Sequence, residues 1–289
     1  MLQHFVQLAQ AYRALLEDAI KQPPVLPGDL YPAEADPPQA DAPVCLVFSP
    51  HPDDEALVGG LPLLLRAAGW RVVNVAVTLG SKQLRRAERW AELSACCSHL
   101  GFELLSASGE ATHGLEPNAL RTAAAEPVYW HAAVQKVATL LLQYRPRVVV
   151  CPHDNDGHAA HIGTHRLVTD ALRHIGSAVQ PHVVLTEYWN TQPDPGLMVE
   201  LSAADVSELV AALSLHAGEV ARNPYHLTLP AWCIDAVRRG AERVGAPGSE
   251  VPGFTFATLY GWQRWTGTVL EPMPARMLAL SCGPAALFG

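Results

Sequence analysis

Residues 44–60 read VCLVFSPHPDDEALVGG. The first five are uninterruptedly apolar, which fits a strand buried on both faces of a parallel sheet better than a strand with one wet face. Pro50 and Pro52 bracket His51 and fix the backbone around it at the strand end. Asp53, Asp54 and Glu55 then open the next helix. Acids favour a helix N-terminus because they meet the positive end of its dipole. That accounts for one or two of the carboxylates, and not for a histidine locked between prolines.

Outward from this stretch the same alternation repeats. β-rich runs lie at 44–49, 71–78, 103–106, 147–151 and 182–187, with helix-length segments at 56–68, 82–100, 130–144 and 161–176. A βαβ series of this kind predicts the α/β class, with right-handed crossovers and a mostly parallel sheet carrying helices on both faces. In such sheets the sites gather at the C-terminal ends of strands. Beyond residue 196, Ser202 with Asp205 resembles a capping box before a helix at about 203–218. A helix also fits 230–245, and a late strand fits Phe254–Tyr260.

The fourth strand ends like the first. Pro152 is followed by His153, Asp154, Asn155, Asp156, Gly157, His158, two alanines, His161 and, four residues on, His165. His51 and a carboxylate three residues on can reach one metal ion around a turn. His161 is the best third ligand, because it sits in the first turn of the following helix. His158 suits a hydrogen bond to substrate or to a metal-bound water. His153 and His165 read as supporting residues behind the ligands, as does Glu55, which orients a ligand or caps the helix. Two histidines and one carboxylate leave a metal open for water or substrate, the pattern of catalytic zinc; structural zinc is closed by four ligands. The same set holds Fe(II), so metal identity stays open.

At these residues the chain resembles the PIG-L/LmbE-like family of zinc-dependent N-acetylglucosaminyl deacetylases. The resemblance rests on His51-Pro52-Asp53-Asp54-Glu55 after a strand and on His158-x-x-His161 opening a helix. Thr78-Leu79-Gly80, Arg89-x-x-Glu92 and Leu100-Gly101 lie between them, and the similarity covers about residues 44–220. It implies a Rossmann-like fold, one Zn2+ (or Fe2+ or another divalent metal) per chain held by His51, Asp54 and His161, Asp53 as general base and His158 as acid or electrophilic partner. It implies hydrolysis of an N-acyl group, N-acetyl in most members, from an amino sugar or sugar conjugate. Arg89 is drawn toward the substrate by the same resemblance.

The chain also departs from the family pattern. Ala159-Ala160 replace a Pro-Asp pair, Asp156 stands where some members carry a tyrosine, and His216-Ala217-Gly218-Glu219 replaces a His-x-Ser-Gln segment. These changes fall on substrate-side positions. Asp156 is therefore counted with Arg89, Tyr188 and Trp189 as substrate-binding; the last two follow the fifth strand. Competing functions are a hydratase acting on a carboxylated enol, an Fe(II) oxygenase, and a non-catalytic metal-binding protein.

Composition narrows the field further. The 289 residues are 49% hydrophobic and 17% charged, with 20 basic and 28 acidic side chains and a formal charge of −8. A sizeable core is available, and an acidic chain is a poor partner for nucleic acid or an anionic membrane. No apolar run approaches a bilayer span. Residues 2–21 read as an amphipathic helix and Gln22–Pro43 as a proline-rich connector, followed by one domain over 44–289. The N-terminus lacks a basic start and a cleavage site, so the expected location is the cytoplasm. The first helix is expected to pack on the body of the domain or on another subunit, leaving a homo-oligomer open. Six cysteines without a CxxC pair read as free and mostly buried thiols.

Overall fold

The computed structural model describes residues 2–21, 38–39, 41–121 and 126–288. Five parallel strands stand in the order β3-β2-β1-β4-β5: β1 (Val44–Ser49), β2 (Arg71–Ala76), β3 (Glu103–Ser106), β4 (Val148–Pro152) and β5 (His182–Thr186). The order reverses between β1 and β4, which pair directly through Cys45–Val47 and Val148–Val150. That reversal opens a crevice past the carboxyl ends of the two strands.

The apolar run of β1 is explained by its two faces. Cys45 and Val47 join one buried cluster, and Leu46 and Phe48 join the other. Helices α2 (Asp54–Leu57), α3 (Gly60–Ala67), α4 (Arg86–Leu100) and α8 (Ala203–Ser214) cover the first face. Helices α5 (Pro117–Arg121), α6 (Pro127–Tyr144) and α7 (Ala159–Ile175) cover the second. Each such aliphatic side chain stabilises the fold by about 1.5–3 kcal/mol relative to exposure.

The expected helix over 56–68 is broken. Val58 and Gly59 separate α2 from α3, and a Cβ at Gly59 would lie 2.7 Å from the Glu55 carbonyl oxygen. Tyr260 closes the break: its hydroxyl donates to the Val58 carbonyl (2.8 Å) and accepts from the Leu61 N–H (3.0 Å). Both backbone groups lack a helical partner there, so a distant side chain supplies it.

The carboxyl-terminal part extends the sheet with antiparallel pairs. β7 (Phe256–Trp265) lies between β5 and β6 (Leu197–Leu201), while β9 (Arg276–Leu278) runs parallel to β6 and β8 (Leu270–Pro272) pairs with β7. The strands β6, β8 and β9 were not anticipated; they lie beyond residue 196, where the regular succession of strand-like and helix-length segments stops. The capping box at Ser202 and Asp205 forms as expected, but the helix it starts ends at Ser214, and α9 (Ala217–Val220) follows separately. The helix expected from 230 begins a turn earlier, as α10 (Tyr225–Gly240).

Helix α1 (Leu2–Ile20) forms, and none of its residues is buried. The connector expected over 22–43 lies mostly outside the described residues. Five cysteines are buried free thiols and Cys282 is exposed.

Candidate active site

The carboxyl end of β1 supplies the first group of side chains. Asp53 caps α2 with a φ of 111°, a left-handed conformation that costs a non-glycine residue about 1–3 kcal/mol. Glu55 holds this turn, its Oε2 accepting the Asp53 N–H at 3.0 Å. Its Oε1 lies 2.6 Å from His216 Nε2, and both side chains are wholly buried. The His51 N–H donates to Asp54 Oδ2 at 2.8 Å.

The carboxyl end of β4 supplies the second group. His161 lies in the first turn of α7, and His158 is that helix's N-cap. The Ala160 N–H donates to His158 Nδ1 at 3.3 Å. With Nδ1 as acceptor, the neutral ring carries its proton on Nε2.

His51 Nδ1, Asp54 Oδ2 and His161 Nε2 form a triangle with edges of 3.2, 3.4 and 3.4 Å. Ligands at 2.0–2.1 Å in a tetrahedron stand about 3.3 Å apart, so the triangle fits one small divalent ion. Ring nitrogens of His51, His158 and His161 also lie within 4.8 Å of one another. The tighter triangle is the better cage, and His158 then stands beside it.

The electrostatics agree. Burial would depress the His161 imidazolium, but Asp54 and then Asp156 outweigh it and raise its pKa. Burial pushes His51 down, against Asp54. Burial would raise Asp54, yet His161 and His51 hold it low. The triangle thus favours a positive charge, which a divalent cation would supply in place of a proton. Asp53 differs: burial first and Asp54 second push its carboxyl well above the usual range, with Arg89 opposing. Two adjacent aspartates are driven apart in basicity by their surroundings.

These groups open into a cavity of about 440 Å³, whose lining includes His51, Asp53, Asp54, His158, Tyr188 and Trp189. That is ample for a small ligand. The Tyr188 ring meets His161 edge-on at 4.7 Å, and Trp189 stacks on His158 at 5.9 Å. Burial, then Asp54, pushes the Tyr188 hydroxyl up. A second cavity of about 350 Å³ continues past Trp189 and Trp232 toward apolar Leu229, Ala236 and Leu259.

Other expected residues stand elsewhere. Asp156, placed on the substrate side by sequence, is 1% exposed and does not line the cavity; its carboxylate takes the N–H groups of His158 (3.0 Å) and Trp189 (3.3 Å) and lies 3.6 Å from His161 Nδ1. A carboxylate behind a ring orients that ring. His153 Nε2 lies 3.1 Å from the Asn190 carbonyl oxygen, and His165 Nδ1 lies 2.9 Å from that of Pro152, so both support the backbone behind the site.

Arg89 lines the cavity and donates to the Pro52 carbonyl at 2.9 Å. Its ionic neighbour is Glu219 at 3.8 Å, whereas Glu92 accepts the Gly218 N–H. Gly80 makes this possible: φ is +81°, and a Cβ would lie 2.4 Å from Arg89 Nη1. Sequence reading did not assign Ser81, Glu219, Arg222 or Asn223, nor prefer Tyr225 and Trp232 over core, yet all line the cavity. The irregular segment after His216 was the signal available for Glu219.

Residues 46–172 match the family described as PIG-L: GlcNAc-PI de-N-acetylase. The chain is similar to a 1D-myo-inositol 2-acetamido-2-deoxy-alpha-D-glucopyranoside deacetylase of Nocardia farcinica, with 33% identity over 156 residues, covering 44% of this chain and 51% of that one. It therefore spans about half the length of that curated relative. Its fold is similar to N,N'-diacetylchitobiose deacetylase from Pyrococcus horikoshii, at TM-score 0.54 and 13% identity over 88% of this chain and 92% of that one. It is also similar to 4-carboxy-2-hydroxymuconate hydratase from Pseudomonas putida, at TM-score 0.52 and 19% identity over 80% and 99%. At these identities the likeness is one of fold, and the fold serves both chemistries.

Proposed function

We propose that the chain, whose residues 46–172 match the family described as PIG-L: GlcNAc-PI de-N-acetylase, is a metal-dependent N-deacetylase that releases acetate, or a related acyl group, from an amino sugar or sugar conjugate. The observation that carries the reading is the triangle of His51 Nδ1, Asp54 Oδ2 and His161 Nε2, at 3.2–3.4 Å, with the raised carboxyl of Asp53 beside it.

A divalent cation held by that triangle supplies Lewis-acid polarisation of the amide carbonyl and a more acidic water. Zinc suits two imidazoles and one carboxylate, and Fe(II) suits them as well. Asp53 takes the proton of the attacking water as the new C–O bond forms at the acyl carbon. The same carboxyl returns the proton to the amine nitrogen as the C–N bond breaks, leaving acetate and a free amine. His158, with its ring proton on Nε2, donates to the oxygen that becomes negative, a contribution worth about 3–4 kcal/mol for one well-placed donor. Asp156 holds His161 and the His158 backbone in place. Tyr188 and Trp189 offer ring faces to the sugar.

The test pairs metal content, by mass spectrometry on protein purified without added metal and again after zinc is supplied, with acetate release from a panel of N-acetylglucosaminides. The expected result is about one metal per chain with acetate release, both lost in His161→Ala. Absence of bound metal even after zinc is supplied overturns the ligand set. The second reading, hydration of a carboxylated enol, keeps the same residues and is supported by the cationic side chains at one end of the cavity. Metal binding without acetate release from any substrate would favour it.

A further inference from the structure

Beside the large cavity lies a side pocket of about 100 Å³, lined by Ser81, Lys82, Arg85, Arg89, Glu219 and Arg222 among others. It shares Ser81, Arg89, Glu219 and Arg222 with the main cavity. Four cationic side chains therefore face one carboxylate. Glu219 is 4% exposed and serves three guanidiniums at once: Arg85 Nη1 at 3.0 Å, Arg89 Nη2 at 3.8 Å, and Arg222 Nη2 in closer contact. Burial alone would raise its pKa, but Arg89, Arg222 and Arg85 hold it low.

One carboxylate cannot balance three guanidiniums. Glu88, 3.5 Å from Arg85 Nε on the exposed side, and Glu92, whose Oε1 accepts the Gly218 N–H, add two carboxylates, so the four cations keep a surplus of one charge. Buried polar groups also remain unmet: Arg85 Nη2, Arg89 Nε and Glu92 Oε2 have no hydrogen-bond partner among the described residues. Leaving the arginine donors unpaired costs stability unless something arrives to accept. The backbone is shaped to keep the arginines there. A Cβ at residue 218 would lie 2.0 Å from Arg85 Nη2, and one at residue 80 would lie 2.4 Å from Arg89 Nη1. Four cations stand over the three carboxylates of Glu219, Glu88 and Glu92 in space left by two glycines, and the positive surplus is open to an anion.

We infer that Lys82, Arg85, Arg89 and Arg222 form a subsite for a phosphate group on the substrate, so that the preferred substrate is a phosphorylated N-acyl amino sugar. The sugar part of this statement rests on the deacetylase reading; the anion subsite does not. Guanidinium forks match the several oxygens of a phosphate, which can engage more of these cations at once than the two oxygens of a carboxylate. Arg89 donates to the Pro52 carbonyl between His51 and Asp53, so the subsite begins at the turn that carries the metal-binding triangle.

The experiment compares metal-loaded protein on N-acetylglucosamine, its 1- and 6-phosphates, and N-acetylmuramic acid. Acetate release gives kcat/KM, and calorimetry gives binding of each compound. The expected result is kcat/KM at least about tenfold higher for one sugar phosphate than for the neutral sugar. That ratio falls toward one in Arg222→Gln and in Lys82→Gln, and shrinks as salt is raised. If the neutral sugar is used as well as both phosphates, the phosphate subsite is wrong while the deacetylase reading stands. A preference for N-acetylmuramic acid over both phosphates overturns phosphate in favour of carboxylate. If no sugar releases acetate, the deacetylase reading fails, and calorimetry still decides the subsite. Tenfold tighter binding of a sugar phosphate than of the neutral sugar upholds it, and equal binding refutes it. Arg222 has a mostly exposed side chain, and equal melting temperatures of wild type and R222Q exclude misfolding as the cause.

Discussion

Replacing Glu55 by alanine tests how the turn that carries Asp53 is held. Glu55 is wholly buried, with one oxygen 2.6 Å from His216 Nε2 and the other accepting the Asp53 N–H at 3.0 Å. Truncation leaves His216 with neither ring nitrogen bonded, since its Nδ1 already has no hydrogen-bond partner among the described residues. Removing one member of a buried pair costs about 3–5 kcal/mol. The orphaned Asp53 N–H adds about 1–3 kcal/mol. The two overlap, so we expect Glu55→Ala to lose about 5 kcal/mol, a large part of the about 5–15 kcal/mol that holds most domains folded. In guanidinium denaturation followed by circular dichroism, that moves the midpoint by roughly 1 M. Glu55→Gln keeps the volume and an acceptor for Asp53, and should lose about 1–2 kcal/mol. Activity should separate the two as well. The strained Asp53 conformation relaxes in Glu55→Ala, and acetate release falls by about 10²-fold or more, the scale of a misplaced general base. A Glu55→Ala protein within about 1 kcal/mol of wild type, or a Glu55→Gln protein equally damaged, would refute the role given to this pair.

Three further outcomes are expected. Asp53→Asn should retain the metal but lower kcat by about 10²–10⁴-fold, measured as acetate release alongside metal content; loss of the metal in this variant would make Asp53 a ligand instead. Tyr260→Phe should cost about 2–4 kcal/mol in thermal or chemical unfolding, because the Val58 carbonyl and the Leu61 N–H both lose their partner where α2 and α3 separate; an unchanged midpoint would show that the break needs no hydroxyl. His182 is pulled down to about 4, first by burial and then by Arg264, and its Nδ1 accepts from Trp262 Nε1. The unfolded chain binds this proton below about pH 6.5 and the folded one only below about 4, so stability should drop by up to about 3 kcal/mol as pH falls through that window. His182→Gln should flatten that part of the stability–pH curve, and an unchanged slope would assign the acid sensitivity to other groups.

The sheet was readable from sequence because its strands are buried on both faces. Continuous apolar runs at 44–48 and 148–151, separated by helix-length segments, leave little room for another architecture. Their ends were readable too, since His51, Asp53, Asp54, His158 and His161 follow directly on two strand termini. The sheet order then brings β1 and β4 side by side and converts two local motifs into one triangle. Spacing alone suggested that the two loops meet; the parallel pairing of two strands about a hundred residues apart achieves it. The role sketched for Asp156 shows the limit, because a side chain's neighbours across a loop decide whether it faces the cavity or the back of a histidine.

What only the tertiary structure decided lies in contacts between segments far apart in the chain. Tyr260 closes the gap between α2 and α3, and His216 fixes Glu55; neither partnership leaves any periodicity in the local sequence. Glu219, Arg85 and Arg222 converge with Arg89 because α4 and the segment after α8 pack at one end of the cavity, where Gly80 and Gly218 leave room for guanidinium groups. Secondary structure follows from side-chain period and burial, which each stretch of sequence carries within itself. Electrostatic surroundings follow from which charges are packed together, and that is a property of the fold as a whole.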